Sequence, residues 1–411
     1  MTKRDLVAGM DIGTSHVRVI VGEIVSDGAM NIIGVGTSPS EGIKKGVIID
    51  LERTVDSISQ AVDEAERMVG AKIGPLNVGI VGSNIGLINN KGIVAVVRED
   101  KEITEEDVER VLQAAKVIAL PQDREIIDII PREFIVDGYD SIRDPVGMIG
   151  VRLEVEAMII TGALTSLRNL LRSLEMAGLE INVMVLNSLA NGEICLSRDE
   201  KELGVFLIDM GGGTTEVSLF QQGALTDLAV LSVGGDHITN DLAVGLRTTF
   251  ELAEKLKIEH GFVLENLTSD DEEIEVEDIS GKEQRNISSR QLFHFIEPRV
   301  LEMLQLCREE MARLGFTEMP SGGVVLTGGV SLLRGVIDLA EDIFGCPVRL
   351  AQPEYLGVKS PIYSTAVGII NYVMRHSPRR RGRMAGRTEN KTGFLHVIWQ
   401  RIKAFVLDIW Q

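Results

Sequence analysis

The sequence predicts an α/β fold of two related lobes, and three observations carry that reading. Strand-like and helix-like apolar patterns alternate along the body. A strand–Asp–Gly–Thr hairpin occurs twice, at Asp11 and at Asp209, 198 positions apart. The chain has 411 residues, more than the roughly 100–200 of an ordinary domain.

The elements follow in order. Leu6–Met10 reads as an apolar strand and Val17–Ile24 as a second. Val55–Met68 places Val55, Ile58, Ala61, Val62 and Ala65 at helical spacing. Val78–Val81 is a short strand. The texture then changes from about Ile85 to Thr161. Strands at Gly92–Arg98, Glu125–Val136 and Val151–Ile160 surround one helix, which opens at Thr104 with Asp107 three positions on, as a capping box would. This stretch reads as a small α+β module inserted in the larger fold. A helix over Leu164–Ala177 closed by Gly178, a strand at Val183–Leu186 and a helix near Ser188–Leu196 return to the body. Val205–Ile208, a glycine turn and Glu216–Phe220 then restate the opening. Asp270–Asp278, with seven acids in nine positions, is expected to be a solvated loop. A long helix over Glu297–Leu314 and a glycine turn at Val324–Gly329 follow, and the body closes near Met374.

Composition narrows the function. Apolar residues make up 44% and charged residues 25%, which excludes a disordered or fibrous chain. Cys195, Cys307 and Cys346 show no CxxC spacing, so a reducing cytosol is expected rather than a disulfide framework or a structural zinc site. No secretory signal and no membrane-spanning stretch is expected. The net charge of −19 argues against nucleic acid as a partner. That total hides an asymmetry. From Arg375 onward nine basic residues face two acids, so the tail carries +7 and the rest −26.

Three loops carry the chemistry. In the first, Asp11-Ile12-Gly13-Thr14-Ser15, a strand end aims a carboxylate past the sheet, and glycine and hydroxyls offer donors to an anion. In Asp209-Met210-Gly211-Gly212-Gly213-Thr214-Thr215, three glycines let backbone approach a phosphate without Cβ interference. In Leu326-Thr327-Gly328-Gly329-Val330, a bare backbone is suited to lie against a nucleoside. Any one of them alone is an ordinary turn. Together, two Asp-terminated hairpins make a phosphate clamp whose carboxylates, Asp11 and Asp209, would hold Mg²⁺ largely through water. Neither GxxxxGK[ST] nor GxGxxG occurs at these points.

On these residues the chain resembles the actin/sugar-kinase/heat-shock-chaperone ATPase superfamily, and within it the FtsA family of bacterial cell-division proteins. DIGTSHVRVIVGEI is similar to the superfamily's first phosphate motif, LIDMGGGTTEVSLF to the second and VVLTGGVSLL to the adenosine motif. SEGIKKGVIID, IIPREFIVDG, GVRLEVEAMIITG and IEPRVLEML are specific to the FtsA family. The resemblance implies an actin-like two-lobed fold with repeated βββαβα cores. It implies a first lobe core over 1–84, 163–200 and 351–374, and an FtsA-type inserted α+β subdomain over 85–162. A second lobe core would span 201–235 and 300–350, with a smaller subdomain over 236–299.

The resemblance also implies ATP and Mg²⁺ as cofactors. It places phosphates at Gly13, Thr14, Ser15, Gly211, Gly212, Gly213 and Thr214, with a turn near the ribose at Gly234 and Gly235. It places adenosine beside Glu254, Lys257, Gly328, Gly329 and Val330. Glu254 and Lys257, in ExxK spacing, share one helix face and read alone as a surface ion pair. Asn187 stands where relatives often carry a water-orienting Gln. It is one methylene shorter, so weak turnover is expected, an ATPase at most, in a protein that is primarily structural. Read alone, Asn187 would cap the helix that follows. Arg299 lies where the family docks the acidic C-terminal tail of FtsZ, and an arginine can grip a carboxylate bidentately. The implied partners are FtsZ, a second copy in a filament, later division proteins and an anionic membrane surface, on the cytoplasmic face of the cell membrane at the division site. A sugar kinase would need a substrate pocket with a catalytic Asp, for which no motif is present. A chaperone would need a large further domain, and only 37 residues follow Met374.

The tail is legible from physics alone. Residues 375–392 form an arginine-rich linker. Residues 393–411 form an amphipathic helix on which Phe394, Leu395, Ile398, Trp399, Ile402, Phe405, Val406, Ile409 and Trp410 share one face. Both tryptophans of the chain are among them. Such a helix lies in a membrane interface, and each neighbouring cation adds roughly 1 kcal/mol of attraction to anionic lipid.

Overall fold

The computed structural model describes residues 5–25, 29–81, 85–267, 273–279, 284–316 and 318–376. The linker and amphipathic helix expected over 375–411 thus lie outside the described residues beyond His376. Two compact units are present, one built from Met1–Ser83 and Ser173–His376, the other around Asn84–Arg172.

The chain opens with β1 (Leu6–Ile12), β2 (His16–Ile24) and β3 (Met30–Pro39), a small hairpin of β4 (Ile43–Lys44) and β5 (Val47–Ile48), then α1 (Leu51–Val69) and β6 (Leu76–Ile80). The second unit holds β7 (Gly86–Ala95), α2 (Glu105–Ala115), β8 (Arg124–Val136), β9 (Tyr139–Ile142) and β10 (Arg152–Ala163). α3 (Leu164–Met176) leads to β11 (Ile181–Leu186), α4 (Asn187–Cys195) and α5 (Arg198–Leu203). The repeat then begins with β12 (Val205–Met210), β13 (Thr215–Gln221) and β14 (Ala224–Leu231), followed by α6 (Gly235–Gly245) and α7 (Phe250–His260). β15 (Glu273–Glu277), β16 (Gln284–Ser288), α8 (Ser289–Arg313), β17 (Val324–Thr327), α9 (Val336–Phe344), β18 (Val348–Leu350) and α10 (Ser364–His376) complete the list.

The two large sheets repeat one topology. Their strand orders are β3-β2-β1-β6-β11 and β14-β13-β12-β17-β18. In each, the first three strands are antiparallel neighbours and the last two join in parallel. This is the expected repeated core.

Helix α1 shows how local sequence sets an element. Asp50 caps it by accepting from Arg53 N at 3.1 Å, and Gly70 ends it in the left-handed region at φ +71°. Ile58, Ala61, Val62, Ala65 and Val69 recur at helical spacing and are buried. They pack on β2 and β3, where Gly36 and Gly34 let helix and strand come close: a Cβ on Gly36 would lie 1.9 Å from Ala61 O.

The second lobe has a continuous core. Phe206, Ile208, Val217 and Leu219 from its sheet meet Ile238 and Leu242 of α6, Val300, Met303 and Leu304 of α8, and Phe344 of α9. At roughly 1.5–3 kcal/mol per fully buried side chain, this layer dominates the lobe's stability. In the second unit the sheet runs β7-β10-β8-β9, with α2 laid on it. Thr104 and Asp107 form the predicted capping box.

Two expectations need correction. The acidic run is not all loop: Glu273–Glu277 pairs with Gln284–Ser288 as an antiparallel hairpin. Ile274 and Val276 point inward while the glutamates stay exposed, so charge masks a strand's alternation. Helix α8 starts eight positions before Glu297 and carries Pro298 inside it.

Candidate functional site

The two Asp hairpins close in the same way. Gly13 N donates to His16 O at 3.1 Å, and Gly211 N donates to Thr214 O at 3.0 Å. A Cβ on either glycine would sit 3.0 Å from that same carbonyl oxygen. The sequence repeat is thus a geometric repeat. The turns also touch each other: a Cβ on Gly212 would lie 1.8 Å from Ser15 Oγ, and one on Gly213 would lie 2.5 Å from Thr14 Oγ1.

Helix α4 ties the two aspartates together. Asn191 Nδ2 donates to Asp209 Oδ2 at 2.8 Å. Asn187, 5% exposed, lies beside Asp11 and favours its charged form. Asparagines at i and i+4 lie on one helix face, so one helix serves both carboxylates. Asn187 makes no capping bond to its own helix. Its Oδ1 is buried with no hydrogen-bond partner among the described residues. The residue expected to orient water therefore sits beside Asp11, with one acceptor to spare. Asn191 carries a role that the motifs did not mark.

Each aspartate also faces a charged residue across its hairpin. Asp11 pairs in register with Arg18, and Asp209 with Glu216. Arg18 is half-buried, its buried Nε has no partner among the described residues, and it lies within the fields of Asp11, Asp209 and Tyr363. Glu216 accepts from Ser188 Oγ at 2.8 Å. Burial, and then the Asp209 charge, push the Glu216 carboxyl up to about 8. Burial, and then Asp11, push Asp209 up to about 6. Burial also raises Asp11. Crowded buried carboxylates that resist ionisation are relieved by a cation. Asp11 and Asp209 are hard oxygen donors of the kind Mg²⁺ takes, and too few for a protein-only cage. That suits an ion that keeps waters and shares phosphate oxygens. Arg18, with its unpartnered nitrogen, is an anion ligand in waiting.

The third loop backs the second. Gly328 adopts φ +87°, and a Cβ there would lie 2.3 Å from Asp209 Oδ1. Gly329 follows it, and Val330 lies against Gly235. Gly235 N and Asp236 N donate to Gly211 O and Gly212 O at 2.9 and 2.8 Å, which fixes the start of α6 on the second turn. Gly234 has no room for a side chain there, since a Cβ would lie 2.4 Å from Gly212 O. Lys257 is not on the surface. At 7% exposed, its Nζ donates to Gly235 O at 3.1 Å, Thr239 Oγ1 at 2.8 Å and Glu254 Oε2 at 2.6 Å. Glycines, Val330, Lys257 and Glu254 thus converge beside the phosphate turns.

Arg299 stands apart from this cluster. It holds Asp241 through Nε at 2.7 Å and Nη2 at 3.3 Å, and it also pairs with Glu302.

Comparisons with known proteins give the family. A family model described as "Cell division protein FtsA" matches residues 206–368, and one described as "SHS2 domain inserted in FTSA" matches residues 82–161. The cell division protein FtsA of Bacillus subtilis (strain 168) is 47% identical over 386 residues, covering 94% of this chain and 87% of that protein. This chain belongs to the FtsA family. The FtsA of Escherichia coli (strain K12) is 35% identical, covering 90% of this chain and 91% of that protein. Among solved structures, a PilM-PilN type IV pilus biogenesis complex aligns with TM-score 0.63 at 17% identity, covering 90% of this chain and 99% of that one. MreB5 of Spiroplasma citri bound to ADP aligns with TM-score 0.54 at 13% identity, covering 93% and 99%. These likenesses speak to fold: the chain is an actin-like cell-division protein with the inserted domain of the FtsA family.

Proposed function

We propose that this FtsA-family chain binds Mg-ATP between its paired hairpins and serves as a membrane-bound scaffold that polymerises and tethers FtsZ to the cytoplasmic face of the membrane. The observation that carries the nucleotide reading is the duplicated turn, with the carboxylate of one copy held by Asn191 and that of the other beside Asn187 on the same helix. Phosphates would take donors from Gly13, Thr14, Ser15, Gly211, Gly212, Gly213 and Thr214, and charge from Arg18. Adenosine would lie along Gly234, Gly235, Glu254, Lys257, Gly328, Gly329 and Val330. Mg²⁺, when bound, supplies charge that offsets both the phosphates and the crowded carboxylates Asp11 and Asp209. Asn187 is one methylene shorter than a water-orienting Gln, so the reading is a nucleotide-dependent switch with weak turnover. An acidic FtsZ tail would compete with Asp241 for Arg299. The amphipathic face from Phe394 to Trp410 is the proposed anchor, with the arginine linker drawing it to anionic lipid. Self-assembly and the recruitment of later division proteins complete the role.

Titration of a fluorescent ATP analogue with Mg²⁺ tests the site. Asp209→Ala is expected to weaken binding at least about tenfold, the scale of losing one charged contact, with circular dichroism unchanged. Equal affinity for the variant would contradict the clamp.

A further inference from the structure

Ser15 Oγ donates to Asp236 Oδ1 at 3.1 Å across 221 positions of sequence. Ser15 belongs to the first lobe's turn, and Asp236 to the first turn of α6 in the second lobe. Each end of this bond is fixed to its own lobe. Asp236 N donates to Gly212 O at 2.8 Å. Ser15 O accepts from Ser40 N at 2.9 Å, and the neighbouring Thr14 Oγ1 accepts from Gly46 N at 3.0 Å. The bond bridges the seam where Ser15 meets Gly212. The two turns proposed to grip phosphate are therefore joined through Asp236.

Serine has one hydroxyl proton to give. A phosphate oxygen and the Asp236 carboxylate both accept, so Ser15 can serve one of them at a time. We propose that Asp236 is a latch on the nucleotide site: it holds Ser15 and keeps the two turns closed until a phosphate oxygen of the nucleotide replaces it as acceptor of the serine's hydrogen bond. The proposal rests on the nucleotide reading above. Opening the latch is part of the barrier to binding, so its removal speeds association.

Stopped-flow binding of the fluorescent ATP analogue with Mg²⁺ reads this directly on the full chain. Asp236→Ala is expected to associate about tenfold faster than wild type, the scale of one hydrogen bond to a charged acceptor. Asp236→Asn keeps an acceptor oxygen for Ser15 and is expected to stay near wild type. In a Ser15→Ala background, Asp236→Ala is expected to add no acceleration, because the two residues act as one contact. Unchanged association for Asp236→Ala overturns the latch. So does equal acceleration by Asp236→Asn, which would make charge alone the cause, or acceleration that persists without Ser15. A wild-type chain that binds no nucleotide would remove the nucleotide reading itself, and the latch with it. Binding with a flat response across these variants removes only the latch.

Discussion

Glu216 is the group whose protonation the fold controls most visibly. Its carboxyl is pushed from 4.5 to about 8 by burial and by Asp209. Between those values the folded chain holds a proton that the unfolded chain has lost. The associated stability is fully present below pH 4.5 and is lost as pH rises through 8. Glu216→Gln keeps the shape of the neutral acid and has nothing to ionise. Without nucleotide or Mg²⁺, its melting midpoint is expected to match wild type at pH 5 and to exceed it at pH 8.5 by roughly 2–4 °C or more. A shift of the same size at both pH values would show that Glu216 is not neutral in the fold. At this scale the sequence displays Asp11, Asp209 and the glycines, because each sits in a contiguous run whose chemistry is local. Arg18, Asn191, Glu216 and Asp236 are not legible there. They are defined by cross-strand register, by an i,i+4 helix face and by a contact across 221 positions. For Asn191 a signal was present, in the Asn-x-x-x-Asn spacing from Asn187.

Among the elements, the tightest joint is that of α1 with β3. Gly36→Ala would drive a methyl group into the Ala61 carbonyl, which is backbone and cannot rotate away. The expected cost is about 1–3 kcal/mol. Gly74→Ala, where a Cβ meets nothing within 4 Å, is expected to be near neutral. Denaturant midpoints of the two variants compare them, and equal midpoints would show that α1 moves freely on its strand. β3, β14, α6, α9 and α10 are not read from the sequence, but the other long strands and helices were legible from apolar period, as were the caps at Thr104 and Gly178, where φ is +71°. The hairpin of β15 and β16 was not. Its inward residues are only Ile274 and Val276, and the glutamates between them dominate any reading by composition. The start of α8 is not legible, because Pro298 suits the first turn of a helix, yet Ser289 to Glu297 are already helical.

At the level of the whole molecule, the repeat of Asp11 in Asp209 announced two related lobes, and the matching strand orders bear this out. The orders themselves were not legible, because parallel pairing of β1 with β6 and of β12 with β17 joins segments far apart in sequence. The central claim is that nucleotide, hairpins and tail act together. Electron microscopy of the full chain with anionic vesicles and Mg-ATP tests it, with Asp209→Ala and a chain ending at Thr392 as companions. The account predicts filaments on the vesicles that require ATP, Asp209 and the tail. Filaments on vesicles that form without nucleotide, or with the chain ending at Thr392, would contradict it.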